Sequence, residues 1–201
     1  MADTIKIGNL DISAFKVGSD DCKVYLGDTL LYPTEPPVFQ GKFKATYSGG
    51  ETYELACDGK IELTSGNTKP SGYQYSSMTE AIIGDCVQPI GNGAFYKCES
   101  LTSITMADSV DWIRDYAFRE CKSLTGVTIP SAVGIISQQA FALCTGLQSI
   151  TILATNPPML KDYAFYGSTC PIYVPSASVS SYQSASGWST YASRIQAIPN
   201  S

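Results

Sequence analysis

Three cysteines stand at a fixed spacing in the middle of the chain, and each ends an Ala-Phe-x-x-Cys motif. The motifs AFYKC, AFREC and AFALC occupy residues 94–98, 117–121 and 140–144. Thiols at such a spacing could be metal ligands, disulfide partners, reactive nucleophiles or small apolar residues of a core. The 201 residues include no histidine, which excludes His-based triads, Cys–His dyads and zinc sites with an imidazole ligand.

The cysteines belong to a longer repeat of about 23 residues. Residues 90–112, 113–135 and 136–159 align, 160–175 is a shortened copy, and 75–90 matches 98–113 without a gap. Each full copy contains Leu-x-x-Ile-x-Ile or a close variant, whose alternation predicts a short strand with one buried face. One such unit cannot bury its apolar groups alone, so stacked units must share a core. The pattern predicts a leucine-rich-repeat solenoid over 75–175, with five strands in a parallel β-sheet about 4.8 Å apart.

The complete pattern I-x-x-x-AF-x-x-C-x-x-L-x-x-[IV]-x-[IM] resembles the BspA-type leucine-rich repeat of bacterial surface proteins, protist proteins and some phage genomes. The segment IYVPSASVSSYQSASGWSTYASRIQAI at 172–198 is similar to the terminal cap of that family. The resemblance implies a binding or adhesive surface, with no catalytic residue, metal or cofactor to carry over. We therefore expect a protein that is not an enzyme.

In a solenoid the three cysteines fill one position of the inner wall. Adjacent rungs bring their Cα atoms within the range of a disulfide, but in-register side chains point in parallel, which is poor geometry for a bridge. The fourth repeat has Ser168 at this position, so a thiol is not obligatory. We expect Cys98, Cys121 and Cys144 to be buried free thiols. No disulfide framework is expected, because the other four cysteines share no spacing; they are Cys22, Cys57, Cys86 and Cys170.

Both ends of the array need covering, because a terminal rung exposes its apolar side. Residues 42–74 are predicted to form an antiparallel β-meander from the runs KFKATY, TYELAC and KIELT, joined by turns at 49–50 and 58–59. Residues 176–201 are predicted to form a helical cap that starts at Ser176. The apolar residues expected to close the last rung are Val179, Tyr182, Trp188, Tyr191, Ile195 and Ile198.

The first 32 residues form a separate strand-rich arm, followed by a Pro-rich linker at 33–41. A segment of this length with few apolar residues cannot build its own core, so its strands are expected to pair with other copies of the chain or with other proteins of an assembly. The stretch KVYLGDTLLYP resembles N-terminal segments of virion proteins of phages that infect gut bacteria. The contact residues predicted for this oligomerisation are Ile5, Ile7, Leu10, Phe15, Val24, Tyr25 and Leu26.

The outer surface carries the candidate partner-binding residues. Strand alternation directs a strip of hydroxyl side chains outward, consisting of Ser103, Thr105, Thr128, Ser149 and Thr151. The strip is either a binding surface for protein or glycan, or only a ladder of strand-favouring residues. Trp112 is the candidate aromatic anchor. It aligns with Pro89 and Ile135, and packing on Ile135 is favoured over exposure.

Charge and termini narrow the class of partner. Charged residues make up 15% of the chain and the net charge is −5, which argues against nucleic acid and anionic membranes. The first ten residues have neither the basic nor the apolar region of a secretory signal. We expect a non-enzymatic virion component, a fibre or decoration protein that presents its repeats to a host-surface glycan or protein. The alternative is a bacterial cell-surface adhesin.

Overall fold

The computed structural model describes residues 5–7, 10–12, 25–26, 29–30, 42–56, 61–66, 68–69 and 74–199. The chain separates into two compact units, Met1–Gln40 and Gly41–Ser201. In the first unit β1 (Ile5–Ile7) pairs antiparallel with β2 (Leu10–Ile12), and β3 (Tyr25–Leu26) with β4 (Thr29–Leu30). Of the predicted contact residues, Phe15 and Val24 lie outside the described residues, as does the linker 33–41.

The second unit contains short strands connected by turns. In chain order they are β5 (Lys42–Tyr47), β6 (Thr52–Ala56), β7 (Ile61–Leu63), β8 (Met78–Ile83), β9 (Val87–Ile90), β10 (Ser103–Met106), β11 (Trp112–Ile113), β12 (Gly126–Ile129), β13 (Ile135–Ile136), β14 (Ser149–Ile152), β15 (Met159–Leu160), β16 (Ile172–Val174) and β17 (Ile195–Ala197). Helix α1 spans Val179–Ser184, and 3-10 helices span Tyr75–Ser77, Ser176–Ser178 and Ser189–Arg194.

The repeated Leu-x-x-Ile-x-Ile motif forms a row of parallel strands, which confirms the predicted leucine-rich-repeat fold. One sheet has the order β10-β8-β5-β6, and a second has the order β12-β14-β16-β17. Between β10 and β12 no strand ladder forms, although the Thr125 amide still donates to the Thr102 carbonyl at 3.5 Å. The sequence predicts five such strands and the structure has six, because β17 pairs in parallel with β16 inside the predicted helical cap.

A third sheet runs alongside, built from the second short strand of each repeat in the order β15-β13-β11-β9-β7. The predicted three-stranded meander is therefore wrong in one strand. β5 and β6 form the expected antiparallel hairpin and dock on β8, but β7 pairs in parallel with β9. In that place Leu63 is fully buried in register with Ile90, so β7 extends the apolar row of the repeats to their first rung.

The core is organised around a column of phenylalanines from the Ala-Phe motifs. The rings of Phe95, Phe118 and Phe141 stack at 4.9 Å spacings, and Phe165 follows at 5.7 Å. The column ends on aromatic side chains of the two caps, which are Phe43 at 5.9 Å from Phe95 and Trp188 at 6.0 Å from Phe165. The caps thus continue the same packing that joins the repeats.

The C-terminal cap is fixed to the last rung by hydrogen bonds as well as by apolar packing. The Trp188 indole nitrogen donates to the Pro158 carbonyl at 2.7 Å, and the side chain is fully buried. The Arg194 guanidinium donates to the carbonyls of Cys170 at 2.8 Å and Ser168 at 3.0 Å. The helix starts later than predicted, because Ser176–Ser178 forms a 3-10 turn and Ser178 precedes α1.

The three in-register cysteines are buried free thiols, as predicted. The Cys121 thiol donates to the Phe95 carbonyl at 3.3 Å, and the Cys144 thiol to the Phe118 carbonyl at 3.0 Å. Burial raises the pKa of Cys121 well above its usual value. Cys86, by contrast, is disulfide-bonded, with its partner outside the described residues. A single disulfide is not a framework, but the sequence analysis does not predict it, because one cross-link leaves no repeated spacing.

Candidate functional site

The predicted hydroxyl strip lies on the outer face of the repeat strands, but its members differ in exposure and belong to two sheets. Ser103, Thr105 and Thr128 are exposed, while Ser149 and Thr151 are half-buried. Thr128 and Thr151 are paired in register, whereas Ser103 and Thr105 belong to the other sheet. A side chain that the sequence analysis overlooks, Tyr173, follows Thr151 in the same row. It stands in the shortened repeat, where Ile-Tyr-Val alternation is its only signal.

Trp112 lies on the third sheet and therefore does not anchor the strip. It aligns with Pro89 and Ile135 as predicted, yet 37% of its surface is exposed, so the preference for burial against Ile135 holds only in part. Its indole nitrogen donates to the Ser137 hydroxyl at 2.8 Å, and the Arg114 guanidinium lies 4.5 Å above its ring. The indole is thus held in place by its neighbours.

A different surface gathers exposed aromatic side chains, and we call it the turn face. It consists of four turn segments at 92–97, 115–120, 138–143 and 162–167, each containing one Ala-Phe pair. The Ala and Phe side chains are fully buried. Of the positions directly beside these pairs, four hold exposed tyrosines, which are Tyr96, Tyr116, Tyr163 and Tyr166, whereas Ala142 is buried. Sequence reasoning missed this surface because tyrosine recurs there irregularly.

Hydrogen bonds between rungs hold the turn segments at a regular spacing. The Phe95 amide donates to the Ala117 carbonyl at 2.7 Å, and the Phe118 amide donates to the Ala140 carbonyl at 2.7 Å. The third rung continues the ladder, since the Phe141 amide donates to the next Ala carbonyl at 2.8 Å. The backbone of the turn face is therefore a fixed frame on which the outer side chains are displayed.

The residue before each Ala adopts a left-handed backbone conformation. Its φ is 60° at Gly93, 60° at Tyr116, 52° at Gln139 and 61° at Tyr163. Glycine adopts this region freely, whereas a residue with a Cβ atom is disfavoured by about 1–2 kcal/mol. Gly93 shows that the fold accepts glycine at this position. The two tyrosines are thus not required by the backbone. Because Gln139 adopts the same conformation, the strain is a property of the repeat and not of the tyrosines.

Three adjoining depressions cross the turn face. The first, of about 380 Å³, is lined by Asn92, Gly93, Tyr96, Tyr116 and Arg119. The second, of about 270 Å³, is lined by Arg119, Gln139, Leu143, Tyr163 and Tyr166. The third, of about 320 Å³, lies beside the cap and is lined by Leu160, Lys161, Asp162, Tyr163, Gly187, Thr190 and Tyr191. Because Arg119 borders the first two and Tyr163 the last two, the depressions form a connected row.

Arg119 occupies the middle of this row and is held from three sides. Its Nη1 donates to the Gln139 side-chain oxygen at 2.8 Å, and its Nε lies 3.4 Å from a Glu120 carboxylate oxygen. Its guanidinium carbon lies 5.8 Å from the centre of the Tyr116 ring. A fixed cation between aromatic walls is a typical composition of a binding surface.

No group of three metal-ligating residues occurs among the described residues. In the same part of the chain, no helix combines the length and the apolar character needed to cross a membrane. The arrangement on the turn face suits non-covalent recognition, since it combines aromatic surfaces with a few oriented hydrogen-bond donors.

A family model agrees with the repeat fold. Residues 67–185 match the model of the BspA type leucine rich repeat region, in six copies. No curated protein matches the chain. A crystal structure of a leucine-rich repeat protein from Bacteroides ovatus ATCC 8483 is similar over 62% of this chain, with 26% identity and a TM-score of 0.46. The alignment spans 31% of that protein's length.

Stacked repeats of this kind create an extended surface for protein interaction or adhesion. The family model covers more than half of the chain, from the N-terminal cap to helix α1. The chain therefore belongs to the BspA type leucine-rich-repeat family.

Proposed function

We propose that this chain is a non-enzymatic attachment protein that recognises its partner with the outer surface of the repeats. The observation that carries the proposal is the turn face, where four exposed tyrosines and Arg119 border one row of depressions. Tyrosine and arginine dominate the binding energy of many interfaces. A rigid array also loses little conformational entropy when it binds, which favours affinity from a modest surface.

As the place of display we propose the surface of a phage particle, where the chain would be a fibre or decoration protein. This proposal rests on the resemblance of the arm to virion proteins and on the expectation that its strands pair with other copies or other virion proteins. The disulfide at Cys86 supports display outside the reducing cytosol, because such bonds persist on virions and cell surfaces. The same observation is compatible with the second candidate, a bacterial cell-surface adhesin.

Immunogold electron microscopy with antibodies against the full chain tests the place of display. Gold particles on intact phage particles are the expected result. Labelling of intact bacterial cells in the absence of phage would favour the adhesin instead. Labelling confined to the cytosol of sectioned cells would contradict display altogether.

Attachment itself is tested with the fluorescently labelled full chain and intact cells of the host bacterium. We expect saturable binding that an excess of unlabelled chain removes. Binding that is absent, or that rises without saturation and without competition, would contradict an attachment function.

A further inference from the structure

We propose that the turn face is a site for a linear oligosaccharide, with successive sugar rings seated along the three connected depressions. The inference rests on the proposed function and deepens it by naming the class of ligand. It concerns a surface distinct from the hydroxyl strip of the repeat strands.

The walls of the depressions suit the apolar faces of sugar rings. A pyranose ring carries a patch of C–H bonds on one face, which packs on an aromatic ring, and hydroxyl groups around its edge, which need hydrogen-bond partners. Tyr96 and Tyr116 border the first depression, and Tyr163 and Tyr166 border the second, where their rings meet edge to face at 6.0 Å. Each ring is more than a third exposed, so aromatic surface is available to a ligand.

Polar groups stand where the hydroxyl groups of such a ligand would lie. The Nη2 of Arg119 has no hydrogen bond or ion pair with any residue that the structure describes. Its Nη1 donates to Gln139, and its Nε has only the ion-pair contact with Glu120. Asn92 is exposed and also lines the first depression, and its side-chain amide forms no hydrogen bond within the described ranges. Arg119 thus supplies a donor that its neighbours hold in place, and the Asn92 amide supplies further donors and an acceptor.

The size and order of the depressions fit a chain of small rings. Two of the volumes, about 380 and 320 Å³, fall at the lower end of the range for ligand sites, and the third, about 270 Å³, lies just below it. They follow one another along the axis of the array, where rungs repeat at about 4.8 Å. A ligand that continues from one depression to the next must therefore be an extended chain.

A peptide strand fits this surface less well than a sugar chain does. Extended peptides are commonly held by free backbone groups at the edge of a sheet. On the turn face the amides are already used between rungs, as those of Phe95, Tyr116, Phe118 and Phe141 show. Recognition therefore falls to the side chains, and aromatic rings with a few polar groups match a sugar.

The test combines an array of defined oligosaccharides with three variants of the full chain. The parent protein is first applied to the array, and the strongest hit is then titrated by calorimetry. Tyr116→Gly and Tyr163→Gly remove one aromatic wall each while relieving the left-handed backbone, so they are expected to fold at least as well as the parent. Met159→Ala is the matched control, because this side chain is 55% exposed on the third sheet.

We expect each tyrosine variant to bind the selected oligosaccharide at least tenfold more weakly, and the control to stay within twofold of the parent. Affinity that falls with added salt would identify an acidic sugar on Arg119, and affinity independent of salt would identify a neutral one. Equal affinity of all three variants would place the sugar elsewhere and overturn the proposal.

Chemical and enzymatic treatment of host cells distinguishes binding to a sugar from binding to a protein, and both from the absence of attachment. Binding of the labelled chain to cells should be lost after periodate oxidation of surface sugars and should survive protease treatment. Cell binding that protease removes, together with no hit on the array, would make the turn face a protein interface. That result would overturn the oligosaccharide proposal while leaving attachment intact.

Discussion

Replacement of Phe118 by alanine should be among the most destabilising single changes in the repeats. Its ring is fully buried and stacks on Phe95 and Phe141, both at 4.9 Å. Truncation of a buried phenylalanine costs about 3–5 kcal/mol of unfolding free energy. Each aromatic pair adds about 0.5–1.5 kcal/mol beyond burial. Since both pairs are lost together, we expect a decrease at the upper end, about 4–5 kcal/mol.

Urea denaturation followed by circular dichroism measures this loss directly. Tyr166→Ala is the matched control, because its ring neighbours the same motif in the fourth turn segment but is 58% exposed, and its expected effect is within about 0.5 kcal/mol. In Phe118→Ala the transition should also broaden or split, since each repeat is coupled only to its neighbours. If the unfolding free energy falls by less than about 1.5 kcal/mol and the transition stays single and sharp, the phenylalanine column is not the main source of coupling between repeats.

Three further outcomes follow from particular contacts. Burial raises the pKa of Cys121, and hydrogen bonding with Cys121 followed by burial raises that of Cys144. The stabilisation from both neutral thiols is complete below the unfolded pKa of about 8.5, and above that pH the unfolding free energy should fall by about 1.4 kcal/mol per pH unit for each thiol. Urea denaturation at a series of alkaline pH values should show a smaller dependence of the unfolding free energy on pH for a C121A/C144A variant. An unchanged dependence would contradict the assignment. Arg194→Gln should lower the unfolding free energy by about 2 kcal/mol, since two carbonyls of the last rung lose a charged donor; thermal melting that matches the parent would show that the cap is held by apolar packing alone. Light scattering should find multimers of the full chain and monomers of a shortened chain, 38–201, because the arm is expected to supply the contacts between copies; two monomers, or two equal multimers, would contradict that role.

The interior of the repeats could be predicted from the sequence because the same side-chain types recur in every rung. Leu124, Val127 and Ile129 occupy the same places as their counterparts one repeat later, and all are buried. The sequence analysis places β7 in the wrong sheet for a physical reason. The Asp58-Gly59 pair is a strong local hairpin signal, whereas the contact that places the strand, Leu63 beside Ile90, comes from a distant part of the chain and leaves no local pattern.

The candidate site escaped prediction because its residues occupy positions that the repeat leaves free. Tyr116 and Arg119 belong to one turn segment, whereas Tyr163 lines a depression together with Arg119 only because stacking brings the rungs together. Neither periodicity nor motif spacing records that neighbourhood. The strip of Ser and Thr was easier to find, since strand alternation alone predicts which side chains point outward.

The residue before each Ala has the same backbone conformation in all four turn segments, whatever its side chain. All four rungs hold this residue at a φ between 52° and 61°, so the turn geometry belongs to the repeat and not to any one side chain. The first rung meets that geometry with Gly93, which is free of strain. The second and fourth rungs have tyrosine at this position, where the left-handed conformation costs about 1–2 kcal/mol of conformational energy each. In both rungs the ring is exposed instead of buried. The third rung holds the same conformation with Gln139, so the strain by itself does not select an aromatic ring. What Tyr116 and Tyr163 add is exposed aromatic surface, at 36% and 61% of each residue, and this surface is what the proposed oligosaccharide would contact.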